Sequence, residues 1–112
     1  MVSSPMSELR KKKCLPCEGG VPPMRQDEVE KYLALVPGWR KDGKWISKEY
    51  QFQNFMEAIE FVNKIAGVAE EEGHHPDIHI YYNRVRLDIW THAINGLSEN
   101  DFILADKIDA LV

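Results

Sequence analysis

Between Asn54 and Glu72, apolar side chains return every three or four positions. Phe55, Ile59, Val62, Ile65, Ala66 and Ala69 share one stripe, with Glu57, Glu60, Lys64 and Glu71 largely opposite. That period predicts an amphipathic helix with one face in a core. Gly73 suits the cap behind it, and Pro76 bars continuation. A shorter helical period, Val29, Tyr32, Leu33 and Val36, predicts a helix over about Asp27–Val36, stopped by Pro37 and Gly38. Further on the period becomes two. Ile78, Ile80 and Tyr82 alternate with His79 and Tyr81, and Val85, Leu87, Ile89 and Thr91 alternate with Arg86, Asp88 and Trp90. Residues 78–82 and 84–91 therefore read as strands, with Asn83 in the turn. Trp39–Arg40 and Trp45–Phe52 read as an earlier hairpin around Asp42 and Gly43. Ser98 and Asp101 have the spacing of a capping box for a last helix reaching about Ala110.

The order is α-β-β-α-β-β-α. Each hairpin has one apolar face that needs cover. The expected fold is α+β, an antiparallel four-stranded sheet of two hairpins covered on one face by helices. Residues 1–23 show no sustained period and end in Gly19, Gly20, Pro22 and Pro23, so a flexible leader is expected before a single domain over 24–112. Met56, Phe61 and Val68 fall outside the main stripe of the long helix, and the hairpins leave sheet edges. Both features point to a homodimer or homotetramer.

Composition narrows the class. A length of 112 residues suits one domain, and 44% hydrophobic with 29% charged residues is ordinary for a soluble globular one. A net charge of -4 gives no basic footprint for nucleic acid, and Arg10–Lys13 reads as a solvated tail. No apolar run is long enough to span a bilayer, and no signal-peptide core is evident, so the expected compartment is the cytoplasm. Cys14 and Cys17 form a CxxC, which can be a redox pair, half of a zinc site, or incidental. A redox pair belongs where a strand meets a helix, and none is predicted there. A structural zinc site needs four ligands, and the remaining candidates are histidines far along the chain.

Those histidines, His74, His75, His79 and His92, are all four of the chain and lie close together in sequence. Imidazole is the natural acid and base near neutral pH, its unperturbed pKa being about 6.5. A turn held between a helix end and Pro76 is a common frame for a site. Each histidine also has a plainer reading. His74 and His75 can be a polar helix end, where an imidazolium suits the dipole. His79 alternates with apolar positions and is expected at the surface. His92 can be a hydrogen-bonded turn residue. A metal site is the third option, although no HxH or HExxH spacing is present.

In chain order, Glu70-Glu-Glu-Gly-His-His-Pro76, Tyr82-Asn-Arg-Val85, Thr91-His92 and Gly96-Leu-Ser-x-x-Asp101 resemble pterin-4a-carbinolamine dehydratase. The likeness runs from about Asp27 to Leu111 and takes in Pro37-Gly-Trp39 and Phe52-x-Asn-Phe55. Ile78 stands where some members of the family carry an aromatic residue. The resemblance implies a hydro-lyase that converts a 4a-hydroxytetrahydropterin to quinonoid dihydropterin and water, as in tetrahydrobiopterin recycling. It implies His74 and His92 as proton-transfer groups and His75 as a substrate contact. Pro76 would shape the binding turn, Thr91, His92, Ala93 and Ile94 would edge the pterin, and Glu70 and Asp101 would support the histidines. Trp39 could stack on the pterin or belong to the core. No metal and no cofactor are implied. Tetramers are, together with a functional link to an aromatic amino-acid hydroxylase. Some members also partner homeodomain transcription factors, and a pterin-binding role without turnover is a further alternative.

Overall fold

A computed structural model of the chain describes Leu9, residues 11–14 and residues 22–112. Among these the elements are α1 (Gln26–Leu33), β1 (Arg40–Asp42), β2 (Trp45–Gln51), α2 (Phe55–Glu72), β3 (Asp77–Tyr81), β4 (Arg84–Ile89), a 3-10 turn (His92–Ile94) and α3 (Glu99–Asp109). The sheet runs β1-β2-β4-β3, antiparallel throughout. Two hairpins are thus joined through β2 and β4, where Ile46 faces Ile89, Lys48 faces Leu87 and Tyr50 faces Val85. Ile46, Val85, Leu87 and Ile89 are fully buried against Phe61 and Ile65 of α2 and Phe102, Leu104 and Ile108 of α3. The expected α+β architecture forms, with helices over one sheet face.

Local chemistry sets the element ends. The Asn54 side chain accepts from Glu57 N at 2.9 Å at the start of α2. Gly73 ends that helix in the left-handed conformation (φ 65°), its N–H returning to Ala69 O. α1 stops at Leu33 rather than Val36, because Leu35 N and Val36 N bond to Tyr32 O and Leu33 O three residues back and tighten the last turn.

The buried face of α2 also differs from the expected stripe. Ala58, Phe61, Ile65 and Ala69 point inward, while Phe55 is 46% exposed. Phe61 packs between the rings of Tyr50 and Phe52, at 4.8 and 5.0 Å. A 3.6-residue period admits neighbouring stripes, and ring packing over the sheet chooses between them. In the second hairpin Tyr82, not Asn83, takes the left-handed position (φ 55°). Asn83 instead ties the turn to β2: its amide donates to Phe52 O at 2.8 Å, and Phe52 N donates to Asn83 O at 2.8 Å.

The described residues ahead of α1 pack on this frame. Leu9, within the stretch expected to be a leader, is 3% exposed in the core. Cys14 N donates to Glu72 Oε1 at 2.9 Å, and Lys12 pairs with Glu99 at 2.9 Å. Pro23 lies so close over Gly96 that a Cβ there would stand 2.6 Å from the proline Cβ.

Candidate active site

The left-handed turn at Gly73 points the chain off α2 so that His74 meets the first turn of α3. His74 Nε2 lies 2.6 Å from Asp101 Oδ1. Asp101 has no exposed surface. Its other oxygen accepts from Ser98 N at 2.8 Å and from Thr91 Oγ1 at 2.9 Å. The carboxylate thus closes the capping box of α3 and also holds His74. With Asp101 acting as acceptor to all three neighbours, the hydrogen-bond pattern assigns the proton of neutral His74 to Nε2. Nδ1 is then the nitrogen left for other partners.

His75 is exposed, its Nε2 3.6 Å from Glu70 Oε2, and both side chains are mostly in solvent. Such a pair contributes little energy. His92 opens the 3-10 turn after β4 and stacks on Trp90, with ring centroids 3.9 Å apart. His74, His75, Pro76, Thr91, His92 and Ala93 all line one cavity of about 590 Å³. That volume suits a small-molecule ligand.

Three expected residues stand outside the cavity wall. Asp101 lies behind His74, Glu70 lies beside His75, and Ile94 is buried beneath the turn. Trp39 is in the core, its indole N–H donating to Asp109 Oδ2 at 3.1 Å. His79, expected at the surface, is half-buried with Nε2 3.0 Å from Asp88 Oδ2. Asp88 is itself buried and also accepts from Ser47 Oγ at 2.7 Å. Strand alternation had placed His79 on the correct face, opposite the helices, but that face carries a buried carboxylate that needs donors.

Cys14, Glu72, Asp77, Trp90 and Asn100 also line the cavity, and sequence reasoning missed them. Trp90 had a visible signal: a large aromatic on the polar face of a strand, two residues before His92. Cys14 had none, since only the folded chain brings it to Glu72. Burial, then the Glu72 carboxylate, pushes the Cys14 thiol up to about 12, so it stays protonated at neutral pH. Glu99 shows the opposite balance. Burial works against its charge, but hydrogen bonds from Lys12 and Tyr32 outweigh that and hold it below the usual range. Among the described residues no three His, Cys, Asp or Glu side chains are placed to share a metal ion; Cys17 lies outside them. Nor, among those residues, is any helix long and apolar enough to cross a membrane.

Comparison with known proteins gives the family and the fold. The family model for pterin 4 alpha carbinolamine dehydratase matches residues 22–111. A protein of Rickettsia canadensis named "Putative pterin-4-alpha-carbinolamine dehydratase" is 50% identical over 109 residues, covering 96% of this chain and 100% of that protein. A protein of the same name from Rubrobacter xylanophilus is 45% identical, covering 95% of this chain and 100% of its own. The crystal structure of a transcriptional coactivator/pterin dehydratase from Brucella melitensis superposes with a TM-score of 0.76 at 32% identity, over 80% of this chain and 97% of that one. With a matching family model over most of its length, relatives at half identity and a shared fold, the chain belongs to the pterin-4a-carbinolamine dehydratase family.

Proposed function

We propose that this hydro-lyase removes water from a 4a-hydroxytetrahydropterin by histidine acid–base catalysis, with His74 and His92 transferring protons and His75 holding the substrate. One observation carries the reading: the adjacent His74 and His75 and the distant His92 line a single cavity, and a buried carboxylate fixes His74. The reaction needs one proton delivered to the departing hydroxyl, which leaves as water with the electrons of the C–O bond. It needs another taken from the neighbouring ring N–H, whose electrons form the new C=N bond. Protons balance, so the site must both give and take one near neutral pH, which suits a pair of imidazoles. No step calls for a metal or an organic cofactor. Pro76, Thr91 and Ala93 supply cavity wall, Glu70 stands by His75, and Asp101 sets the ring of His74. Aromatic amino-acid hydroxylases generate such carbinolamines, which places the reaction in pterin recycling.

The test is water loss from a synthetic 4a-carbinolamine. His74→Ala and His92→Ala should each slow it, by up to the hundred- to ten-thousand-fold that one acid or base typically contributes, about. The spontaneous reaction and the surviving histidine will mask part of that loss, so the double variant should be much slower than either single one. His75→Ala should chiefly raise KM. Full turnover by the double variant, with folding intact by circular dichroism, would remove the assignment.

A further inference from the structure

Trp90 follows β4 directly and lies in the cavity wall. Several neighbours fix its indole. The ring stacks on His92 at 3.9 Å, with 35° between the planes. Nε1 donates to Asp77 Oδ2 at 3.4 Å. Lys44 Nζ stands 5.2 Å from the ring centroid and also donates to Asn95 Oδ1 at 2.9 Å, at the far end of the turn that carries His92. Trp45 lies 6.2 Å away, ring to ring. His92 is held differently from His74. His92 is exposed, and its ring lies against the Trp90 indole.

From this geometry we infer that Trp90 is the positioning residue of His92, as Asp101 is of His74; the inference rests on the proton-transfer role proposed for His92. The two anchors do different work. A carboxylate settles which nitrogen of a ring carries the proton. A stacked indole settles the plane of the ring and leaves both nitrogens to substrate and solvent. It also holds the ring in both protonation states: aromatic attraction acts on the neutral imidazole, and the negative indole face attracts the imidazolium. Without Trp90, an exposed ring on a three-residue turn would sample several rotamers. Displacement by about 1 Å can cost a catalytic group as much as a hundredfold.

The experiment is a double-mutant cycle in the full chain, scored by carbinolamine dehydration and by NMR of the histidine ring protons. Trp90→Leu should lower kcat about tenfold, within the cost of a misplaced group, with little change in KM. Trp90→Phe, which keeps a ring but loses the Asp77 bond, should restore most of it. Added to His92→Ala, Trp90→Leu should cost nothing further; added to His74→Ala it should cost its full factor. The NMR arm does not depend on activity. Ring protons of His92 should be displaced upfield by the indole ring current in the native chain and by the smaller phenyl ring current in Trp90→Phe, and return to the free-histidine position in Trp90→Leu. The inference is overturned if Trp90→Leu costs the same with and without His92, if only KM rises, or if native His92 shows no upfield displacement. Failure of the proton-transfer reading looks different: His92→Ala would keep full turnover while the native chain still showed the upfield displacement of His92.

Discussion

Asp101 and Cys14 show how far a residue's surroundings can redefine it. From sequence, Asp101 is a helix cap, which it is; only the folded chain adds His74 as a third donor to the same carboxylate. The motif spacing made the histidines legible, and what spacing cannot state is which polar partner a ring will meet across distant segments. Cys14 was read only as half of a CxxC, yet it lines the cavity and bonds through its backbone to a buried glutamate. Its behaviour with pH follows from burial, which pushes the folded-state thiol up to about 12 from an ordinary value of 9.0. An acid whose pKa rises on folding contributes stability that is full below the unfolded value and lost as pH climbs through the folded one. Tyr32, pushed up to about 12 by burial and then by Glu99, acts in the same direction. We expect Tm to hold level up to about pH 9 and to fall above it, and Cys14→Ala to soften the early part of that fall. A scan with an unchanged slope in the variant would mean that Cys14 does not contribute. Iodoacetamide, which needs the thiolate, should label Cys14 slowly in folded protein at pH 8 and quickly in urea, read by peptide mass spectrometry.

At the scale of elements, the helix ends decide where the chemistry sits. α3 carries Asp109 at its C-terminal end, a position where the helix dipole disfavours a negative charge. Three donors from the first hairpin region offset this: Trp39 Nε1, Lys48 Nζ and the Tyr50 hydroxyl, so that α3 is fastened to the sheet at one end and to His74 at the other. The end of α2 rests on Gly73, where φ is 65° and an added Cβ would touch nothing within 4 Å. Gly73→Ala therefore tests backbone strain alone. It should cost about 1 kcal/mol, the usual penalty for an L-residue in the left-handed region, and lower Tm by roughly 4–8 °C. A variant with native Tm would show that the turn relaxes. Element types and order were readable from periodicity because the core faces are long and regular. The rotation of α2 was not, since Phe61 and Phe55 both lie near the edge of an apolar arc and only the sheet beneath distinguishes them. Alternation carries Tyr82 into the strand, whereas it takes the left-handed place in the turn beside Asn83, whose amide ties that turn to Phe52.

At the scale of the molecule, the sheet ends on β3, an edge strand with Ile80 and Tyr81 at 38% and 47% exposure and Tyr82 of the following turn at 66%, while Phe55 and Met56 are open on α2. We propose that self-association covers such surfaces, as a dimer or tetramer. Light scattering at micromolar concentration should give a multiple of 12.9 kDa, and a charged replacement such as Ile80→Lys should shift the mass downward; a monomeric mass for the native chain would dismiss the proposal. One further consequence concerns Asp101, which joins the segment after α2, the end of the sheet and the start of α3 through bonds to His74, Thr91 and Ser98. The bonds to Ser98 and Thr91 are short-range, but His74 lies 27 residues from Asp101, so the full bond set exists only when the end of α2 is packed against the start of α3. Loosening α3 alone would release His74 at the same moment. On the proton-transfer role proposed for His74, a partly opened molecule would be a silent one, and turnover would count intact molecules rather than report how active a damaged one remains.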